Sequence, residues 1–277
     1  MLRMLAFTET PPPTTVSMSK HIPRRRFGQH FLTDRAVIGD IVAAIRPQSD
    51  DAMVEIGPGL GALTTPLAAV LRHLHVIEID RDIIAHLHRA YPPGSLSVHS
   101  GDVLEFDFAL LPRALRVVGN LPYNISTPLL FHLACYAERI RDMHFMLQKE
   151  VVGRMVASAG GGDYGRLSVM LQYRFDMHLL LEVAPDAFSP PPQVDSAVVR
   201  MLPRPQAQLT AASEAGLAQV VRRAFGQRRK TLRNALAGLL EAEDYAALGI
   251  ASGVRAENLT VADFVAISNY LAQKASS

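Results

Sequence analysis

Four apolar runs in the first half of the chain each stop at a glycine or a small polar side chain, and this repetition limits the fold more than any other feature. Ala52-Met53-Val54-Glu55-Ile56 runs into Gly57-Pro58-Gly59-Leu60-Gly61 and a helical stretch through Leu71. His75-Val76-Ile77-Glu78-Ile79-Asp80 ends acidic, a helix spans Asp82–Ala90, and Ser95–His99 closes on Gly101-Asp102-Val103. Leu115–Gly119 stops at Asn120-Leu121-Pro122, where proline cannot extend a sheet ladder. Apolar runs alternating with helical patterns predict βαβ units and a parallel sheet. In an open sheet of that kind the ligand sits beyond the carboxyl ends of the strands. Gly57, Glu78, Asp102 and Asn120 all fall there.

The residue types at those ends suit a nucleoside. Glycines let backbone approach a ligand, and the following helix start offers free N–H groups. Glu78 lies about 20 residues past the loop, the spacing at which a carboxylate takes ribose hydroxyls. The loop lacks the G-x-G-x-x-G spacing of the dinucleotide fingerprint, which disfavours a nicotinamide dehydrogenase. An acid-x-Gly-x-Gly-x-Gly loop suits a ligand with one ribose and no pyrophosphate, such as S-adenosylmethionine. An Asp at position 102 can accept from an adenine amine. Asn120, the Leu121 carbonyl and Tyr123 together can accept both hydrogens of an exocyclic amine and stack on the ring that carries it.

Downstream, helices are expected at Ser126–Ala134, Lys149–Ala157 and Tyr164–Tyr173, with strands at Asp142–Gln148, Met177–Val183 and Ser196–Leu202. The Phe188–Ser196 segment carries three prolines and reads as a stiff extended piece that fixes Phe188 in place. Pro203-Arg204-Pro205-Gln206 reads as a linker. Beyond it the strand pattern disappears, and helices are expected at Glu214–Ala224, Lys230–Leu240, Asp244–Leu248 and Val261–Gln273.

Net charge is only +2, so nucleic-acid binding has to be argued from where the charges sit. Arg222, Arg223, Arg228, Arg229, Lys230 and Arg233 crowd the junction of two predicted helices with no acid among them, a pattern that fits phosphate contacts. Arg24, Arg25 and Arg26 form a second cluster near the start of the chain. The single Cys135 excludes an internal disulfide and a multi-cysteine metal site, and a reducing, cytoplasmic setting is expected. Residues 1–20 read as a disordered tail.

Phe27-Gly28-Gln29-His30-Phe31-Leu32, Glu55-Ile56-Gly57-Pro58-Gly59, Ile77-Glu78-Ile79-Asp80, Asn120-Leu121-Pro122-Tyr123-Asn124-Ile125-Ser126, the Phe188–Ser196 segment and Gln227-Arg228-Arg229-Lys230-Thr231 together resemble the ribosomal RNA adenine dimethyltransferases, most closely their bacterial small-subunit type. The resemblance runs from about Arg24 to about Leu271. It implies an α/β, Rossmann-like class I S-adenosylmethionine methyltransferase domain over 21–204 and a small all-α RNA-binding domain over 205–277. The implied reaction is N6,N6-dimethylation of two adjacent adenosines near the 3′ end of small-subunit rRNA in the 30S subunit; nothing in the sequence argues for a stable oligomer, and a monomer is the default expectation. By motif match, Gln29, His30 and Leu32 lie along the cofactor's methionine side and Gly57 and Gly59 form its loop. Glu78 and Ile79 take the ribose side, and Asp102 and Val103 the adenine. Asn120 and Leu121 stand at the reacting centre, and Tyr123 and Phe188 sandwich the base. No metal is implied. The family usually reads F-G-Q-N-F-L, so His30 stands where Asn is usual. A methyltransferase for large-subunit rRNA shares this chemistry, and an rRNA-binding assembly factor would need no catalysis; intact Glu78, Asp102 and Asn120 side chains argue against the second.

Overall fold

The computed structural model describes residues 30–227 and 229–276. A two-residue strand, β1 (Phe31–Leu32), precedes helix α1 (Arg35–Ile45), whose first turn is capped by the Asp34 carboxylate accepting from the N–H groups of Ala36 and Val37. Then come β2 (Met53–Ile56), α2 (Thr64–Val70), β3 (Leu74–Glu78), α3 (Arg81–Ala90), β4 (Leu96–Ser100), β5 (Leu115–Asn120), α4 (Ser126–Ala134) and β6 (Ile140–Gln148). The chain continues through α5 (Lys149–Val156), α6 (Arg166–Arg174), β7 (Phe175–Val183), β8 (Phe188–Ser189) and β9 (Ser196–Pro203). It closes with α7 (Glu214–Phe225), α8 (Leu232–Ala235), α9 (Ala242–Leu248) and α10 (Val261–Ser276).

Seven strands form one sheet in the order β4-β3-β2-β5-β6-β9-β7. Strands β2 to β6 run parallel, and β9 is antiparallel to both of its neighbours. Side chains alternate across the central strands, as the two-residue strand period requires. Val54, Ile56, Val117, Phe145 and Leu147 pack with Leu129 and Leu133 of α4 and Val152 of α5. Met53, Val118 and Met146 pack on the other face with Ile41 of α1, Leu67 of α2 and Leu87 of α3. Helices on both faces make this a doubly wound α/β fold of the Rossmann-like kind expected, with its order reversing between β2 and β5. At that point the two strands lie so close that a Cβ on Gly119 would come 2.6 Å from the Ile56 carbonyl oxygen, so only glycine fits.

A third apolar cluster joins Leu217 and Val221 of α7, Leu232 of α8, Tyr245 of α9 and Phe264 of α10 to Tyr164, Val169 and Tyr173 in and before α6. The expected linker is tied down: Arg204 donates through its backbone N–H to the Arg174 carbonyl and through Nε to that of Gln172. The helix expected over 230–240 shrinks to α8, because Gly238 takes a left-handed φ of +77° and Thr231 is held by a bridge to Arg255. No helix among the described residues is long and apolar enough to cross a membrane.

Candidate active site

A cavity of about 310 Å³ opens beyond the carboxyl ends of β2, β3, β4 and β5, where the strand order reverses. Its size is that of a small-ligand site. The loop after β2 forms its floor, with Gly57, Gly59 and Gly61 at φ of +65°, +54° and +91°. L side chains rarely adopt such values, so the turn requires glycine. Gly61 has a further reason: an added Cβ would lie 2.6 Å from the Tyr91 hydroxyl, which shares a 2.8 Å hydrogen bond with Thr65 Oγ1.

Two carboxyls stand in the wall. Glu78 is fixed by its Oε1, which accepts from the N–H groups of Ile79 at 2.9 Å and Asp80 at 2.8 Å. Burial still raises its pKa above the usual carboxylate value, against those hydrogen bonds. Glu55, at 2% exposure, accepts from Thr64 Oγ1 at 2.7 Å. Desolvation, with the nearby Glu78 charge adding, pushes its pKa up to about 7. Asp102 sits exposed at the rim, where one oxygen accepts from Leu104 N–H at 2.9 Å. Ile79, half exposed, and Val103 supply apolar walls on either side of the β3 and β4 ends.

At the end of β5, Asn120 Nδ2 donates to the His30 carbonyl at 3.0 Å. That bond sets the orientation of the carboxamide and leaves its oxygen as the acceptor turned from the His30 backbone. The Leu121 N–H is spent on the Met146 carbonyl at 3.1 Å. Tyr123 shares a 2.8 Å hydrogen bond with the hydroxyl of the fully buried Ser196. The His30 ring stacks on Tyr123 with centroids 5.8 Å apart and planes 25° from parallel.

Of the residues expected from the sequence, His30, Leu32, Gly57, Gly59, Glu78, Ile79, Asp102, Val103, Asn120, Leu121 and Tyr123 all line this one cavity. Gln29, Arg24, Arg25, Arg26 and Arg228 lie outside the described residues. Phe188 departs from its expected place as the second face of a base clamp. Its ring is 4% exposed, packed in the apolar cluster under α1, and its backbone pairs with Leu32 in the β1–β8 ladder. A hydrophobic ring there is held by burial and presents no open face. Arg222, Arg223, Arg229, Lys230 and Arg233 are exposed, although Arg223 already caps the Ala237 carbonyl. Phe225, which lies within this basic stretch, turns inward to Tyr164 and Phe264. Sequence reasoning took Glu55 only as the acid that precedes the glycine loop and passed over Tyr91, which reaches the loop only through the end of α3.

Comparison with known proteins adds to this geometry. The sequence model described as "Ribosomal RNA adenine dimethylase" matches residues 20–273. A protein of Chromobacterium violaceum called "Ribosomal RNA small subunit methyltransferase A" is 62% identical over 93% of this chain and 98% of its own length. Its namesake in Aromatoleum aromaticum is 63% identical over 93% of this chain and 97% of its own. Among solved structures, a dimethyladenosine transferase from Plasmodium falciparum aligns at a TM-score of 0.72 and 25% identity, over 86% of this chain and 96% of that one. The 23S rRNA methyltransferase ErmE aligns at 0.67 and 25% identity, over 88% and 100%.

Proposed function

The chain belongs to the ribosomal RNA adenine dimethylase family, and we propose that it transfers methyl groups from S-adenosylmethionine to N6 of two adjacent adenosines near the 3′ end of small-subunit rRNA. The observation that carries this reading is the Asn120 carboxamide, its Nδ2 committed to the His30 carbonyl and its oxygen left for an amine. The relatives above 60% identity carry the small-subunit name, whereas the large-subunit enzyme ErmE resembles this chain at 25%. That difference favours the small subunit as the substrate particle. We further take the enzyme as a cytoplasmic monomer.

The residues present fit the cofactor. The cavity has a glycine floor, a carboxylate locked by two backbone N–H groups, and an apolar slot between Ile79 and Val103. Gly57 and Gly59 would bring backbone against it, Glu78 would take the ribose hydroxyls, and Asp102 would accept from the adenine amine. His30 and Leu32 would close its methionine side, joined by Gln29. When bound, the group supplies a methyl on a sulfonium, a strong electrophile.

The chain's own task is the nucleophile. The adenine amine is poorly nucleophilic because its lone pair is delocalised into the ring. Accepting both N–H hydrogens, through Asn120 Oδ1 and the Leu121 carbonyl, favours a more tetrahedral nitrogen and stabilises the charge that develops there. Tyr123 would stack on a base taken out of its helix, a contact worth on the order of 1–3 kcal/mol. The exposed Arg222, Arg229, Lys230 and Arg233 would hold the rRNA backbone.

The test is transfer of labelled methyl to small and large ribosomal subunits lacking the modification. Dimethyladenosine in small-subunit RNA alone is expected. Label in the large subunit, or tight subunit binding without label, would refute the reading.

A further inference from the structure

His30 makes three separate contacts, and each goes to a different part of the site. Its backbone carbonyl accepts from Asn120 Nδ2 at 3.0 Å. Its Nδ1 lies 2.9 Å from the Pro190 carbonyl oxygen. A carbonyl oxygen only accepts, so Nδ1 must carry the proton there. Its ring lies offset-stacked on Tyr123, whose hydroxyl is tied at the far end to buried Ser196. Tyr123 is therefore held at two points, by its hydroxyl and by one face of its ring. An asparagine at position 30 could repeat a hydrogen bond to Pro190 but has no ring to lay on Tyr123.

We propose that His30 is a positioning residue for base stacking: pinned to Pro190, its imidazole covers one face of Tyr123 and fixes that ring, so that the flipped adenine stacks on the opposite face in a three-layer His30–Tyr123–adenine column. This rests on the function proposed above. It assigns the unusual histidine a role toward the RNA base beside the cofactor contact expected for that position. Offset stacking at 5–6 Å is the arrangement aromatic pairs favour, and it holds the ring while leaving the amine pocket at Asn120 open. The enthalpic and orientational benefit would be felt when the base is in place, since the loose rotation of Tyr123 is what the stack removes.

The test compares His30→Asn, which keeps hydrogen bonding but not the ring, with His30→Phe, which keeps a ring but not the bond to Pro190. In steady-state transfer to small subunits, His30→Asn is expected to lower kcat on the order of 10-fold. Its KM for S-adenosylmethionine and its melting temperature should stay as in the unsubstituted protein. His30→Phe should recover kcat to within about threefold, a rescue that a merely structural or cofactor-holding residue would not show. Equal kcat for His30→Asn and the unsubstituted protein, an unrescued His30→Phe, or a loss confined to cofactor KM would each overturn the proposal. Nitrogen NMR of the imidazole at neutral to mildly alkaline pH reads the pin without turnover. The Nδ1–H tautomer is expected, and Nε2–H would contradict the bond to Pro190. Absence of transfer by the unsubstituted protein would refute the proposed function instead, and is distinguished by that same spectrum.

Discussion

The two ends of the central sheet both bury charge, and they treat it in opposite ways. At the amino ends of the strands, Arg116 at the start of β5 is almost wholly enclosed, and its five N–H donors are all used. Nε and Nη2 reach the two oxygens of Asp142 at 2.9 and 3.0 Å, Nη1 reaches Asp51 at 2.6 Å, and the Ile45 and Arg46 carbonyls take the rest. Charge opposes charge inside the network, and the Arg116 guanidinium helps hold the Asp51 carboxyl below its ordinary pKa although burial pushes the other way. At the carboxyl ends, Glu55 and Glu78 are raised by burial with no cation paired to either among the described residues, and Asn120 lines a cavity. A closed network spends its polar capacity within the fold and serves stability. An open one keeps capacity for a ligand, at a cost in desolvation.

The largest stability effect belongs to the closed end. Arg116→Ala leaves Asp142 buried without its cation and Asp51 with only the exposed Arg141, and should cost about 3–5 kcal/mol in denaturant unfolding. A loss below about 1 kcal/mol, the range of an exposed pair, would break the comparison.

A smaller effect sharpens it. His144, on β6 beside the network, is buried with neither ring nitrogen hydrogen-bonded among the described residues, its Nδ1 standing 3.8 Å from Asp142 Oδ1. Burial holds its pKa down at about 4, with Asp142 opposing that shift and Arg116 and Arg200 assisting it. The folded state thus keeps it neutral, while the unfolded chain protonates near 6.5. Its contribution is complete above pH 6.5 and is lost as pH falls from there toward 4. His144→Leu should flatten that acid limb and raise neutral-pH stability by about 1 kcal/mol, because an unpaired polar ring is replaced by an apolar group. An unchanged pH profile of unfolding would assign the limb elsewhere, with His75, also held down to about 4 by burial, the next candidate.

The sheet was legible because its strands are short apolar runs broken by glycine, proline and helix-period stretches. β6, expected to start at Asp142, begins at Ile140, and β7, expected from Met177, begins at Phe175; both differences lie at strand ends, where pattern is weakest. The two-residue β1–β8 ladder was not legible, since its partners are more than 150 residues apart and too short for any period. Nor was the burial of Phe188, because the prolines beside it announce an extended segment and not which way a ring turns. Where a strand end delivers a residue, its position was legible: Gly57, Glu78, Asp102 and Asn120 line one cavity. What reaches the site from elsewhere escaped, as with Tyr91 under the glycine loop and Ser196 behind Tyr123.

On the proposed function, the open end of the sheet presents Asn120 to the substrate amine and leaves cofactor binding to its neighbours. Asn120→Ala tests it by measuring methyl transfer and S-adenosylmethionine affinity on the same preparation. Transfer should fall about 10²- to 10³-fold, the cost of losing one positioned transition-state contact, while the cofactor Kd changes by less than about threefold. Transfer retained near the unsubstituted rate, or cofactor affinity lost in step with transfer, would contradict it.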